Sequence, residues 1–315
     1  QVRVRVRAAG VNYADTIVRE GWYEAAKGHY PITPGFEFAG VVDRSESPLF
    51  KPGARVFGFT RFGGYASVQI CEPGRLRSMP PDWSFADCAG VPAVHFTAYH
   101  ALHQVAKVSK GEILLVHSAA GGVGTALLQQ ARLAGCWTLG VVGSEKKIAV
   151  AREFGADSVA VRSERLWKEI DAAVPGGFDA IFDANGVTTP RPGFERLKLG
   201  GRLVIYGFAE MFPRGSLAWP LSNGVWKRHF LALWLGRNWL RVPRFSPLEM
   251  TAKNRAELGF NVVFLTDKAE LAKDGFDAIA DWMARGLLSK APVTEFPVER
   301  VADAHRALET GETVG

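Results

Sequence analysis

The chain has 315 residues, enough for one large or two ordinary domains, and at 47% hydrophobic and 22% charged it can bury a real core. Its net charge of +6 comes without a block of like charges or a nucleic-acid motif, which argues for a solvated basic face and against nucleic acid as a partner. Phe230–Leu235 is far too short an apolar run to span a bilayer.

Val2, Val4 and Val6 alternate with Arg3, Arg5 and Arg7, the pattern of a half-buried strand with a basic outer face. In the run Val11–Tyr23, Asn12, Asp15 and Arg19 fall on one side of a helical turn. Short strands punctuated by glycine and proline follow at Pro34–Val42, Lys51–Phe59 and Gly63–Ile70, as in a small β-barrel domain. Cys71, Cys88 and Cys136 lack metal or redox spacing. They read as reduced, buried thiols of a cytoplasmic protein.

The texture changes at Val91–Leu102, which reads as a helix, and the domain boundary is placed near Pro92. The division expected is residues 1–92 with 267–315 against residues 93–266. Six strands then alternate with helices: Ile113–His117, Thr138–Val142, Ser158–Val161, Asp179–Asp183, Arg202–Tyr206 and Asn261–Leu265. The fold class this implies is α/β, a doubly wound parallel sheet. Between the last two strands, Phe208–Ala256 reads as irregular and carries Trp219, Trp226, Trp234 and Trp239, which suit a lid, a membrane-touching patch or plain packing. An amphipathic helix is expected at Ala269–Leu288, and a strand and helix at Pro292–Leu308.

The strongest local signal is ILLVHSAAGGVG at Ile113–Gly124, a strand, a small-residue turn and then a helical pattern. Ser118, Ala119, Ala120, Gly121, Gly122, Val123 and Gly124 form the turn, with Ala119, Gly121 and Gly124 at dinucleotide spacing. Small residues let a backbone approach a pyrophosphate, and the helix N-terminus offers it unpaired N–H groups. A carboxylate at the end of the second strand would hold an adenosine ribose. Here that place is Gly143–Ser144, with Lys147 beyond and Glu145 between, so hydroxyl and lysine suit a 2′-phosphate and the cofactor expected is NADPH. Asn185 and Gly207 lie at carboxyl ends of later strands, where doubly wound sheets bind cofactors.

VNYADTIVREGWY, PGFEFAG, KPGARVFGF, GGYA, VPAVHFTAYHAL, HSAAGGVG and GGRLVIYG together resemble the medium-chain dehydrogenase/reductase superfamily, in its zinc-free quinone oxidoreductase branch. Within that branch the tail NRAELGFNVVFL and the tryptophan-rich segment are most similar to the vesicle amine-transport group. The resemblance implies a Rossmann domain beside a GroES-like β-barrel catalytic domain, and further chain on both sides of the sequence. It implies Asn12 as an amide donor near the nicotinamide, a buried turn-forming asparagine being the alternative, and Thr97 as a contact to the ring or its carboxamide. Tyr23 falls where relatives place a tyrosine that donates a proton or shapes the pocket. Arg162 would add a second cationic contact, and Phe264 on the sixth strand completes the cofactor set.

Alcohol dehydrogenases of this superfamily hold zinc through a GHE motif, and here Phe36 replaces its histidine. His95, His100 and His103 share one helix without a ligand to complete a site, and are given surface or capping roles. No metal is expected. Without a Lewis acid the acceptor should be a conjugated one, a small hydrophobic quinone or α,β-unsaturated carbonyl. An enoyl-thioester reductase and an NADPH-binding membrane-associated or interaction protein are the competing readings. The apolar sixth strand at the sheet edge predicts a homodimer.

Overall fold

The computed structural model describes residues 1–212, 225–266 and 269–315. The chain forms two compact units, Gln1–Thr97 with Val262–Thr313, and Ala98–Asn261 with Val314–Gly315.

The first unit is built on a five-stranded antiparallel sheet of β1 (Val2–Ala9), β2 (Glu37–Ser45), β3 (Arg55–Phe59), β4 (Val68–Cys71) and β5 (Leu76–Ser78), in the order β4-β1-β2-β3-β5. Val2 and Val4 of β1 are fully buried with Phe38, Val42, Val56 and Leu76, as strand alternation requires. The basic face is not free. Arg3 and Arg5 both bond Asp43, at 2.7 and 3.0 Å, and hold its carboxyl down to about 2. Helices α1 (Tyr13–Arg19), α2 (Phe85–Ala89) and α3 (Pro92–Tyr99) belong to the same stretch, and α3 continues as a π-helical segment, His100–Ala106. His95 is buried, not a surface residue, and burial pushes its imidazole down to about 4. Cys88 and Cys136 are buried free thiols, whereas Cys71 is only half-buried.

The second unit carries a six-stranded parallel sheet of β6 (Ile113–Val116), β7 (Trp137–Val142), β8 (Ser158–Val161), β9 (Phe178–Asp183), β10 (Leu197–Ile205) and β11 (Ala256–Gly259). The order is β11-β10-β9-β6-β7-β8, so the winding reverses between β6 and β9. In such a sheet the crevice at the carboxyl ends of those two strands is the place for a ligand. Crossovers are made by α4 (Gly122–Leu133), α5 (Ile148–Glu153), α6 (Leu166–Ala173) and α7 (Pro190–Glu195). Leu115, Leu139, Ile170, Phe178, Ile181, Phe194 and Leu203 fill the core between sheet and helices.

Three expectations need correction here. The sixth strand is Ala256–Gly259, five residues before the expected one, and Val262–Leu265 is a 3-10 turn in the first unit. A short apolar run does not distinguish a strand from any other buried segment, and Val263 is buried among Val18, Ala26 and Phe36 of its own unit. The tryptophan-rich stretch is not irregular throughout: it carries two helices, α8 (Val225–Arg241) and α9 (Pro247–Lys253). Trp234 is half-buried and Trp239 is 59% exposed, while Trp219 and the side chain of Trp226 lie outside the described residues. Finally, no strand forms within Pro292–Leu308; an irregular run with a 3-10 turn at Val298–Arg300 leads directly into the expected helix, α11 (Val301–Thr310).

The returning chain supplies α10 (Ala269–Ala284) and α11 (Val301–Thr310) to the first unit. Phe276 of α10 stacks between Phe59 and Phe96, with centroids 4.2 and 4.8 Å away. α11 is anchored to α1 by Arg19, which bonds Glu309 at 2.5 Å and His305 at 3.1 Å. Among the described residues no helix is long and apolar enough to cross a membrane.

Candidate functional site

The glycine turn leaves β6 at buried His117 and bends at Ser118, whose φ of 54° is left-handed. A non-glycine residue held there costs of order 1 kcal/mol and persists only where its surroundings fix it. They do so here. The Ser118 carbonyl accepts the Gly121 N–H at 2.9 Å, and the Ala119 N–H donates to Val141 of β7 at 3.0 Å. Ala119 and Ala120 are buried, so their small side chains serve packing: a Cβ on Gly140 would sit 2.9 Å from that of Ala119. At Gly124 a Cβ would stand 2.2 Å from the Ser118 carbonyl oxygen, so only glycine lets α4 start this close to the turn.

Gly121 is the N-cap of α4 and supplies no side-chain cap. The first-turn N–H groups of Gly122 and Val123 have no carbonyl one turn earlier in the helix, and with the helix dipole they make an anion seat. A pyrophosphate fits this cradle.

Beside it, β7 ends at Val142 and is followed by exposed Gly143 and Ser144, and a Cβ on Gly143 would meet open space. Lys147 closes the 3-10 turn that follows, its N–H donating to the Ser144 carbonyl at 3.1 Å. The Arg162 N–H donates to the Val142 carbonyl at 2.8 Å, which brings Arg162 to the neighbouring strand end. Its guanidinium is directed to Glu210, 3.3 Å away.

The loops after β9 and β10 are organised by a group that sequence reasoning missed. Asp183, fully buried, accepts the N–H groups of Asn185 and Gly186 at 2.7 and 2.9 Å and the Thr189 hydroxyl at 2.5 Å. Asn185 is also fully buried. Its amide donates to Thr189 at 3.2 Å and accepts the Ser118 hydroxyl at 3.4 Å, so it links this loop to the glycine turn. Gly207 lies so close to Ala184 that a Cβ would be 2.8 Å from its carbonyl. His117 stands 4.0 Å from Asp183, and burial pushes its pKa below the ordinary value, keeping it neutral. The available signal was an acid, Asp183, closing the strand FDAIFD directly after the apolar run Ala180–Phe182.

Asn12, Tyr23, Thr97 and Phe264 all belong to the first unit. Asn12 is the N-cap of α1, and its N–H donates to the Asp15 carboxylate at 2.9 Å. Its side-chain Nδ2 donates to Glu37 at 2.6 Å, so one amide hydrogen is committed within the protein. The second oxygen of Glu37 accepts the Ala93 N–H at 2.7 Å, at the start of α3. Glu37 therefore connects Asn12 to the helix that carries Thr97, whose hydroxyl turns back to the Ala93 carbonyl at 2.7 Å. Tyr23 presents its ring to the edge of Phe36 at 5.9 Å, and Phe36 packs on Phe62 at 5.7 Å. Phe264 is 49% exposed.

Behind Asn12 runs a second chain of polar groups, leading from exposed Arg19 inward to buried Asp15. Arg19 donates to His305 Nδ1 at 3.1 Å, which leaves the proton on Nε2 to be donated to the Tyr65 hydroxyl at 3.2 Å. Tyr65 in turn bonds Asp15, which also accepts the Gly35 N–H at 2.8 Å. Burial pushes Asp15 up to about 6 and Glu37 up to about 7. Burial also pushes His305 down to about 4, assisted by Arg19.

Phe36, which stands where the resemblance to alcohol dehydrogenases would place a histidine ligand, packs in an aromatic cluster with Tyr23 and Phe62. Among the described residues no group of three or more histidine, cysteine, aspartate or glutamate side chains is placed to hold a metal ion.

Known proteins agree with this architecture. Residues 1–110 match the alcohol dehydrogenase GroES-like domain family, and residues 122–241 match the zinc-binding dehydrogenase family. A synaptic vesicle membrane protein VAT-1 homolog of Danio rerio is 28% identical over all of this chain, which spans 63% of that relative's length. The quinone oxidoreductase of Rattus norvegicus is 34% identical, over 98% of this chain and 85% of its own. The quinone oxidoreductase of Thermus thermophilus, solved alone and with NADPH, superposes with a TM-score of 0.79 at 28% identity, covering 100% of this chain and 89% of that one. The chain belongs to the medium-chain dehydrogenase/reductase superfamily, in the branch that holds the quinone oxidoreductases and the VAT-1 homologs.

Proposed function

We propose that the protein is an NADPH-dependent oxidoreductase that reduces quinones or the C=C bond of α,β-unsaturated carbonyls. The observation that carries this reading is the turn at Ser118–Gly124. A left-handed Ser118, a Gly124 with no room for a Cβ and a helix start without a side-chain cap together make a pyrophosphate seat. Ser144 and Lys147 would take the 2′-phosphate, with Arg162 as a second cation. Asn12 and Thr97 would contact the nicotinamide end. When bound, the reduced nicotinamide supplies the hydride.

The remaining chemistry falls to the chain itself. Tyr23, Phe36 and Phe62 offer an apolar wall to a small hydrophobic acceptor and exclude water from it. No side chain there is a ligand type that could polarise a plain ketone through a metal. A conjugated acceptor spreads its developing charge onto oxygen, where one hydrogen-bond donor suffices. Tyr23 holds a phenolic proton on that wall and is our candidate to deliver it.

The test is NADPH consumption by the purified chain against a panel of quinones, enones and enoyl thioesters. Turnover of quinones or simple enones supports the reading. A strict preference for thioesters would move it to the enoyl-thioester reductases, and tight NADPH binding without any turnover would make the protein a binding module.

A further inference from the structure

The carboxylate of Glu37 occupies a built seat. It is 1% exposed; Oε1 faces Asn12 Nδ2 at 2.6 Å and Oε2 faces the Ala93 N–H at 2.7 Å. Gly10 makes room for it, since a Cβ there would lie 2.3 Å from Oε1. Both partners of Glu37 are thus fixed, and one of them is a residue assigned above to the nicotinamide end of the cofactor.

The hydrogen-bonding inventory of a carboxyl group then has a consequence. An ionised carboxylate only accepts, so Asn12 must offer it an N–H and turn its own carbonyl oxygen away. A protonated Glu37 has one O–H to place. Oε2 already faces a donor, the Ala93 N–H, so the proton must sit on Oε1 and needs an acceptor on Asn12. Only the Asn12 carbonyl oxygen can serve, and to do so the amide must rotate by half a turn.

We propose that Glu37 is a positioning residue that sets which end of the Asn12 amide is presented to the cofactor: the carbonyl oxygen when Glu37 is ionised, the NH2 when it is protonated. The inference rests on the reading that Asn12 faces the nicotinamide. Asn12 is read as an amide donor to the nicotinamide, so the protonated form, which presents the NH2, binds the cofactor more tightly.

The groups around Glu37 bring this exchange into the neutral range. Burial raises its pKa most, the hydrogen bonds from Ala93 and Asn12 oppose that, and the buried carboxyl of Asp15 on α1 adds to it, giving about 7. Tyr65 faces both acids and donates to Asp15, and His305 of α11 backs Tyr65 with Arg19 beyond. No cation contacts Glu37 directly among the interactions described.

The experiment is calorimetric titration of the full chain with NADH across pH 5.5 to 8.5, roughly the range spanned by a carboxyl raised to about 7. NADH is the probe because it lacks the 2′-phosphate, which titrates in the same range. In the unmodified protein, affinity should fall as pH rises by about threefold to tenfold, the value of one hydrogen bond. Glu37→Gln donates its amide to the Asn12 carbonyl at every pH, so its affinity should stay at the low-pH level without a step. Asn12→Ala should also lose the step, although Glu37 still titrates. Adenosine bisphosphate, the adenine half alone, should bind all three proteins equally, which checks that the variants fold. A pH step that survives in Glu37→Gln or in Asn12→Ala overturns the inference, as does its absence in the unmodified protein when NADH binds. Failure of both NADH and NADPH to bind at any pH instead sinks the functional reading, and the inference with it.

Discussion

Arg162 and Glu210 form an ion pair at 3.3 Å, so the cation that the sequence assigns to a 2′-phosphate is shared with a carboxylate from the loop after β10. Glu210 is held in place independently, because its carboxylate also accepts the N–H and hydroxyl of Thr188, at 2.8 and 2.9 Å. The guanidinium therefore has two anions to choose between once NADPH is present. Removing the charge with Glu210→Gln should raise the preference for NADPH over NADH by about twofold to fivefold, the scale of a half-exposed pair. Arg162→Ala should lower it. The ratio of the two dissociation constants in each variant is the measurement.

The two glycines flanking the site should separate stability from binding. Gly124→Ala forces a Cβ to within 2.2 Å of the Ser118 carbonyl and 2.7 Å of Ala119 Cα, backbone atoms that yield little. It should destabilise the protein by about 1–3 kcal/mol and weaken NADPH binding as the turn opens. Gly143→Ala meets nothing within 4 Å, so its melting temperature should match the unmodified protein while cofactor affinity falls. Thermal melts with and without NADPH read both effects.

If Tyr23 delivers the proton, Tyr23→Phe should slow enone reduction by about tenfold to 10⁴-fold while leaving NADPH affinity unchanged. Quinone reduction should suffer less. Steady-state rates on one enone and one quinone, measured side by side, decide between proton delivery and a wall function, which would lower both rates together.

The buried acids also make a prediction about stability and pH. Glu37 titrates at about 7 in the folded chain against 4.5 as its ordinary value, so between these the native state binds more protons than the unfolded one. Its contribution is therefore present at low pH and lost as pH rises toward 7. Asp15, raised to about 6, acts in the same sense. His95 and His305, each held down to about 4, act oppositely and add stability as pH rises to 6.5. Glu37→Gln removes one opposing slope of up to about 1.4 kcal/mol per pH unit. Urea unfolding between pH 5 and 6.5, roughly the range where all four groups act, should show stability climbing more steeply with pH in the variant.

These residues also mark where the sequence stopped being legible. The strand, turn and helix at Ile113–Gly124 could be read because their periodicity and glycine spacing are local. The edge strand could not: AELG of β11 is short and half polar, while the apolar NVVFL beside it looks more strand-like yet folds as a 3-10 turn. Polar pairing was equally hidden. Glu37 meets Asn12 from 25 positions away and Ala93 from 56, and Arg19 meets His305 from 286. No periodicity reports contacts at such separations. What the sequence did offer was an acid set beside apolar residues, Glu37 in PGFEFAG and Asp183 at the end of FDAIFD, both of which the fold buries.

The central claim is that this chain, with an aromatic cluster where a metal ligand would stand, reduces conjugated acceptors. One measurement addresses it most directly: NADPH consumption with an enone and with the saturated ketone of the same carbon skeleton, products identified. The account predicts that the enone is consumed to give the saturated ketone and that the saturated ketone itself is not reduced. Comparable turnover of the saturated ketone to its alcohol, or no turnover of any enone or quinone by protein that binds NADPH, would contradict it.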